Sequence, residues 1–105
     1  MSAETSIDHA LHAIADPTRR RILHALREGA SAAKSSAKAA VENSPCLCAG
    51  DIEERMKLSQ PTISHHMAIL TQAVLVEATK RGQWRWYRRN EKAIRQMVKT
   101  LRGKL

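Results

Sequence analysis

The chain has 105 residues, which is enough to bury one modest hydrophobic core but not two independent ones, so we expect a single domain over residues 1–105. Apolar residues make up 43% of the chain and aromatic residues only 3%, so the core must be built from aliphatic side chains, which suits short packed helices. The formal net charge of +8 favours a polyanionic partner, nucleic acid before an anionic membrane, and no apolar run approaches the roughly 18 to 20 residues that cross a membrane.

Two helices are predicted in the first part of the chain. Apolar residues recur at helical spacing over residues 5–15, and a second helix begins at Pro17 with Asp16 as its expected N-cap. Gly29 is well placed to end this second helix in a left-handed turn. Residues 30–45 are rich in Ala, Ser and Lys and have no apolar face to bury, so we expect a flexible insertion there.

A pair of helices separated by a short turn is predicted after the insertion. The first helix is short and covers about residues 50–56, with two apolar side chains four positions apart. Lys57 and Leu58 form the turn, and Ser59 is the expected N-cap of a longer helix over about residues 60–72. This order is typical of a helix-turn-helix.

The longer helix of the pair has two distinct faces. At about 100° per residue, its buried face collects Ile63, Met67 and Leu70, and His66 at the edge of that face is expected to brace the helix. The opposite face collects Pro61, Thr62, Ser64, His65, Ala68 and Ile69. Small polar side chains near a helix start allow the close approach to base edges that a recognition helix needs.

Two strand-like runs, over residues 75–79 and 83–88, predict a β-hairpin. The connection is Lys80-Arg81-Gly82, in which Gly can adopt the positive φ that a tight turn requires. The hairpin is strongly basic near its tip. The side chains that can pair with phosphates or enter a narrow minor groove are Lys80, Arg81 and Arg85.

The rest of the hairpin and the last helix complete the pattern. Trp84 and Trp86 share one face of their strand and are expected to pack the hairpin onto the helices. The alternative is that one of them stacks on a base. Arg88 and Arg89 either extend the basic strip or are solvated charges at the hairpin's end. A closing helix is predicted over residues 91–102, with an apolar stripe formed by Ile94, Met97, Val98 and Leu101. The predicted fold class is therefore mainly α with a β-hairpin wing, a winged helix-turn-helix with the hairpin between its fourth and fifth helices.

Three stretches of the chain resemble the arsenic-repressor (ArsR/SmtB) family of transcriptional regulators. Residues 59–70, SQPTISHHMAIL, resemble its recognition helix, residues 16–23, DPTRRRIL, the opening of its second helix, and residues 82–88, GQWRWYR, its wing. The resemblance implies a repressor that binds double-stranded operator DNA. By position, it implies DNA contacts from Ser59, Gln60, Thr62, Ser64 and His65, with Arg81 and Arg85 in the wing.

The resemblance also implies a homodimer in which the first and last helices of each subunit pack on those of the other. The operator would then carry two half-sites about one helical turn apart. Apart from the resemblance, the apolar stripes on the two terminal helices also require another surface to pack against. The expected interface residues are Ile7, Leu11, Ile14, Ile94, Met97, Val98 and Leu101.

The sequence departs from the family's pattern in two places. The family usually has Gly after the recognition helix, where this chain has Ala73 and Val74, so the turn there is expected to differ. The stretch over residues 30–45 replaces what is normally a short connection.

Cys46 and Cys48 leave three interpretations open. Metalloid sensors of the family carry two thiols at the start of the third helix, where they chelate a thiophilic metal or metalloid ion. Counting back from Ser59, Cys48 falls on the first of those positions and Gly50 on the second, so the pair is displaced. The alternatives are a reversible thiol oxidation switch and half-buried cysteines without a sensing role. The alternatives for His9 and His12 are ligands supplied across the dimer, and solvated or interface histidines without a metal role.

The remaining function classes separate as follows. The N-terminus lacks the basic start and apolar stretch of a signal peptide, so a cytoplasmic protein without a membrane partner is expected. An enzyme is not expected, because nucleophile-elbow, phosphate-loop and paired-carboxylate signatures are missing. The alternatives to an inducible repressor are a repressor with no small inducer, and a basic module that binds a protein or structured RNA without operator specificity.

Overall fold

The computed structural model describes residues 2–32 and 47–105, and the side chains of residues 7–27 and 47–105. Most of the predicted insertion, and Cys46, lie outside the described residues. The elements within them are α1 (Ser2–Ile14), α2 (Pro17–Ala32), β1 (Leu47–Cys48), α3 (Ala49–Met56), α4 (Gln60–Gln72), β2 (Val76–Arg81), β3 (Trp84–Arg89) and α5 (Glu91–Lys104). This order confirms the predicted winged helix-turn-helix.

The junction between α1 and α2 is built as the sequence predicts, but the end of α2 is not. Asp16 accepts a hydrogen bond from the Arg19 amide at 3.1 Å, which is an N-cap contact, and Pro17 is the first residue of α2. The expected end at Gly29 is wrong, because α2 continues to Ala32. One glycine inside a helix costs only about 1 kcal/mol relative to alanine, and the alanines that follow favour the helix.

The core lies where α2, α3 and α4 pack on the sheet. The inward faces of these helices are buried, and each helix contributes at least one side chain that is fully enclosed. The largest fully buried side chains are Ile22, Leu26, Leu47, Ile52, Ile63, Met67, Leu70, Leu75 and Val76. Aliphatic residues therefore fill the centre, as the composition requires.

The hairpin belongs to a three-stranded antiparallel sheet in the order β1-β3-β2. The short strand β1 was not predicted, and it pairs Leu47 with Tyr87 and Cys48 with Trp86. The wing strands begin and end one or two residues later than expected. Arg81 faces Trp84 across the hairpin, so the connection is the two residues between them, and Gly82 has the expected positive φ of 62°.

Helix α4 ends in a Schellman motif. The Leu75 amide donates to the Leu70 carbonyl at 3.1 Å and the Val74 amide to the Thr71 carbonyl at 2.9 Å. Val74 occupies the left-handed position of the motif, with φ of 64°. A valine thus adopts here the left-handed conformation that glycine usually supplies after a helix. The expectation that this turn differs from the family's stays a prediction.

The two tryptophans of the wing behave differently. Trp86 is buried and packs with Cys48, as predicted for a residue that seats the wing on the helices. Trp84 is 42% exposed, so the same prediction is wrong for this residue. It lies next to the hairpin tip, beyond the reach of β1, which covers β3 only at Trp86 and Tyr87.

Candidate nucleic-acid interface

The solvent-facing side of α4 carries the side chains predicted to touch DNA. Its buried side consists of Ile63, Met67 and Leu70, which fix the helix on the core. The exposed residues at its N-terminal end are Ser59, Gln60, Pro61, Thr62, Ser64, His65 and Ala68. Ile69 differs from the prediction, because it is half-buried and packs against the core. The result is a row of small and polar groups that none of the described residues covers.

At the start of α4, the N-cap side chain contacts another side chain instead of a backbone amide. Ser59 occupies the predicted N-cap position in an extended conformation, but its hydroxyl lies 3.0 Å from the Thr62 hydroxyl and makes no cap bond to an amide. Pro61 lies in the first turn, where it has no amide hydrogen to satisfy. The backbone N–H groups at this end and the positive end of the helix dipole can therefore favour an anion.

The wing places two of its three predicted basic contacts side by side. Lys80 and Arg85 are direct cross-strand partners, and both are exposed. Like charges in this arrangement repel one another and weaken a hairpin. Arg81 is paired with Trp84, one position along each strand, so strand alternation puts it on the other face. An anion held by Lys80 and Arg85 would relieve their repulsion.

Arg88 and Arg89 do not extend this basic strip. The guanidinium of Arg88 lies 2.8 Å from the carboxylate of Glu77, its cross-strand partner. Arg89 is also 2.8 Å from the carboxylate of Glu91, and it donates to the Leu23 carbonyl at 3.2 Å. Both arginines are therefore neutralised by residues of the same chain, and Arg89 ties the wing to α2.

A buried arginine connects the recognition helix to the start of α2. Arg19 is 7% exposed and donates from Nη1 to His66 Nδ1 at 3.2 Å. The pKa of His66 is lowered mainly because burial disfavours its charged form; Asp16 opposes this shift, whereas Arg19 and His65 add to it. His66 therefore braces α4, as expected. Arg19 was missed, and the only sequence signal was its place in the stretch 16–23.

Cys48 lies at the start of α3, and its thiol is enclosed. Its amide donates to an Asp51 carboxylate oxygen at 3.4 Å, and its thiol lies 3.2 Å from the same oxygen. Burial raises the pKa of this thiol, which disfavours the thiolate. A Cβ atom on residue 50 would lie 4.0 Å from Cys48 Sγ, so Gly50 stands beside the thiol. Among the described side chains, no group of three or more metal-ligating residues comes together.

The terminal helices carry the expected apolar stripes, only part of which is covered within the subunit. Ile7 is buried, and Ile14, Ile94 and Met97 are half-buried against the core. Leu101 is also half-buried. Leu11 is 37% exposed and Val98 56% exposed. His9 and His12, on the same helix as Leu11, are exposed.

The fold and this surface together define a winged helix-turn-helix protein with an exposed recognition helix and a cationic wing. In the described part of the chain, none of the helices has the length and hydropathy to cross a membrane. The family model for bacterial regulatory proteins of the arsR family matches residues 39–78. The chain belongs to the ArsR family of bacterial regulatory proteins.

Two repressors of similar sequence agree with this assignment. The transcriptional repressor SdpR of Bacillus subtilis (strain 168) is 33% identical over 92 residues, which covers 88% of this chain and 84% of SdpR. The arsenical resistance operon repressor of Staphylococcus aureus is 40% identical over 55 residues, which covers 52% of this chain and 53% of that repressor.

Among solved structures, the homodimeric winged helix-turn-helix DNA-binding domain of a possible ArsR-family regulator from Mycobacterium bovis has a TM-score of 0.69. It is 19% identical, over 98% of this chain and 82% of that one, and shares the fold. The protein is a DNA-binding transcriptional repressor and not an enzyme.

Proposed function

We propose that the protein represses transcription in the cytoplasm as a homodimer, by inserting the N-terminal end of α4 into the major groove of each operator half-site. Ser59, Gln60, Thr62, Ser64 and His65 would contact the base edges. Lys80 and Arg85, with Arg81 at the tip, would contact the phosphates beside the groove. The observation that carries this proposal is the uncovered polar start of α4 on a chain with net charge +8.

The electrostatics of the wing support the division of labour between α4 and the hairpin. Lys80 and Arg85 face each other without a carboxylate as cross-strand partner, whereas Arg88, three residues further along β3, is paired with Glu77. The repulsion between these two exposed cations would be offset by bound phosphates. Phosphate contacts supply affinity for any duplex, and the base contacts of α4 supply the preference for one sequence.

The terminal helices support the dimer. Leu11 on α1 and Val98 on α5 are exposed apolar residues on helices that already contact each other within the subunit. A second copy of the chain would cover both stripes and place two α4 helices about one turn of DNA apart. The relative from Mycobacterium bovis with the same fold is described as homodimeric.

Release of the operator by a thiophilic metal or metalloid ion, or by thiol oxidation at Cys46 and Cys48, stays a prediction. The geometry at Cys48 gives this prediction little support, because the thiol is enclosed and burial raises its pKa. The double variant Cys46→Ser with Cys48→Ser tests it. If DNA binding by this variant responds to arsenite, cadmium or peroxide as the wild type does, the cysteines are not the sensor.

The experiment for the main proposal is selection of bound duplexes from a random pool, followed by competition with random-sequence DNA. We expect one two-part site to be enriched, and His65→Ala to lose about 1 to 3 kcal/mol of discrimination at the base pairs it contacts. Arg85→Ala should instead weaken binding to selected and random duplexes alike. A wild-type protein that enriches no sequence, or that prefers structured RNA over every duplex, would refute the proposal.

A further inference from the structure

Arg19 is the only charged residue that is buried among the described side chains, and its guanidinium joins three elements. Nε donates to the Ala13 carbonyl at 2.7 Å and Nη2 to the His12 carbonyl at 3.1 Å. Both carbonyls belong to the last turn of α1, and that of His12 also accepts from the Ala15 amide at 3.4 Å. The third contact, from Nη1, reaches His66 on α4.

This bonding pattern fixes the state of both ends of the link. A guanidinium nitrogen can only donate, so Nδ1 of His66 must accept and the ring proton must be on Nε2. The positive charge of Arg19 lies at the negative end of the α1 dipole, which favours it there. The end of α1 and the middle of α4 are thus held by one planar group with divergent donors, a geometry that lysine cannot reproduce.

The apolar contacts of α1 alone do not fix its tilt against α4. The buried side chains of α1 in its described part are Ile7, Ala10 and Ala13. Alanine side chains let two helices approach closely, but they are too small to interlock and so resist a change of tilt only weakly. Directional hydrogen bonds at the end of the helix supply the constraint that methyl groups do not.

We propose that Arg19 is a positioning residue for operator binding, which sets the angle between α1 and the recognition helix through His66. This inference rests on the proposed function, in which α1 packs in the dimer and α4 lies in the groove. In such a dimer, the distance between the two recognition helices depends on how each α4 is held against its own α1. Arg19 therefore sets how strictly the protein requires one spacing between half-sites.

The test compares binding to the selected operator with binding to the same operator carrying one extra base pair between its half-sites. We expect the wild type to lose about tenfold or more in affinity on the longer site. In Arg19→Lys the loss should shrink to about threefold, because α4 is freer to adjust its tilt. Sedimentation should show both proteins as dimers.

Three matched variants separate positioning from plain structural support. Arg20→Lys is the first control, because Arg20 also donates to a carbonyl at the end of α1, that of Ile14, but has no described contact to α4. Its spacing ratio should stay at the wild-type value. His66→Asn keeps an acceptor where Nδ1 lies and should also preserve the ratio, whereas His66→Leu should reduce it as Arg19→Lys does.

The outcomes distinguish this inference from the proposed function. If Arg19→Lys and His66→Leu bind both operators more weakly by the same factor, Arg19 only stabilises the fold and the inference is wrong. If the wild type selects no duplex at all, the proposed function fails and the inference fails with it. Nitrogen NMR of the His66 imidazole gives a readout without DNA, since a proton on Nδ1 in the free protein would also overturn the inference.

Discussion

Among the residues that the structure describes, Val74 is the one whose backbone conformation is least suited to its side chain. Its φ of 64° is a left-handed conformation that β-branched residues rarely adopt, and its side chain is 53% exposed, so burial gives little in return. We expect Val74→Gly to raise the free energy of unfolding by about 1 kcal/mol, as relief of the strain outweighs the added flexibility of the unfolded chain. Denaturant unfolding of the dimer at fixed concentration measures this.

Val74→Ala is the control for that change. It removes the branched side chain but keeps Cβ, so most of the strain remains and stability should change less than in Val74→Gly. A Val74→Gly protein that unfolds more easily than the wild type would mean that contacts of the valine side chain outweigh its backbone strain.

His66 gives the stability a dependence on pH whose sign follows from its lowered pKa. Burial, with Arg19 and His65 nearby, lowers this pKa below its usual 6.5 against the opposing charge of Asp16. The unfolded chain then binds the proton more readily, so this contribution is complete above pH 6.5 and is lost as the pH falls from that value through the lowered pKa of the folded state. Unfolding curves at several pH values should show this loss.

The same titration in His66→Asn isolates the effect. The variant has no ring to protonate at this position, so its stability should fall less steeply over the same acidic window. His9→Asn makes the same substitution at an exposed position on α1 and is the matched control, whose unfolding curves should follow those of the wild type. Identical slopes in the wild type and in His66→Asn would show that His66 does not contribute.

At the scale of elements, the wing contains two arginines of the same strand with different surroundings. Arg85 faces Lys80, and Arg88 is bound to Glu77 at 2.8 Å. We expect Arg85→Ala to reduce the slope of log affinity against log salt by about 1, since one phosphate contact is lost. Arg88→Ala should leave that slope unchanged. Binding to one duplex over a range of salt concentrations measures both, and equal slopes for the two variants would contradict the assignment.

The elements that could be predicted from the sequence are those whose pattern is local. The stripe of Ile63, Met67 and Leu70 repeats every three or four residues, so α4 and most of its exposed face follow from the period alone, although Ile69 is half-buried. Strand β1 has two residues and exists because Leu47 and Cys48 pair with β3, about forty positions later. No local pattern marks a strand of that length.

Candidate site residues divide in the same way. The exposure of Ser59 and His65 follows from helix geometry and was predicted, whereas the neutralisation of Arg88 depends on strand register with Glu77. From the sequence, Arg88 could either extend the basic strip or be a solvated charge. The strand register decides against the strip, because it places Glu77 directly opposite Arg88. Arg19 was missed because its acceptor on His66 is 47 positions away.

At the scale of the whole molecule, the apolar surface of the terminal helices determines whether the subunit acts alone. Val98 is 56% exposed at the middle of α5, in the predicted stripe. A charged residue there would have to be buried without a partner if a second subunit covers the stripe, which costs several kcal/mol. We expect Val98→Glu to shift the protein to monomers in sedimentation.

Loss of the dimer should in turn weaken operator binding far more than loss of any single contact. Each monomer would bind one half-site, and the second half-site would no longer add to the affinity through its high effective concentration. Gln96→Glu is the matched control, because it introduces the same charge on the same helix about 200° away around the helix axis, at an exposed position. A Val98→Glu protein that stays dimeric, or a monomer that binds the full operator as tightly as the wild type, would place the functional interface elsewhere.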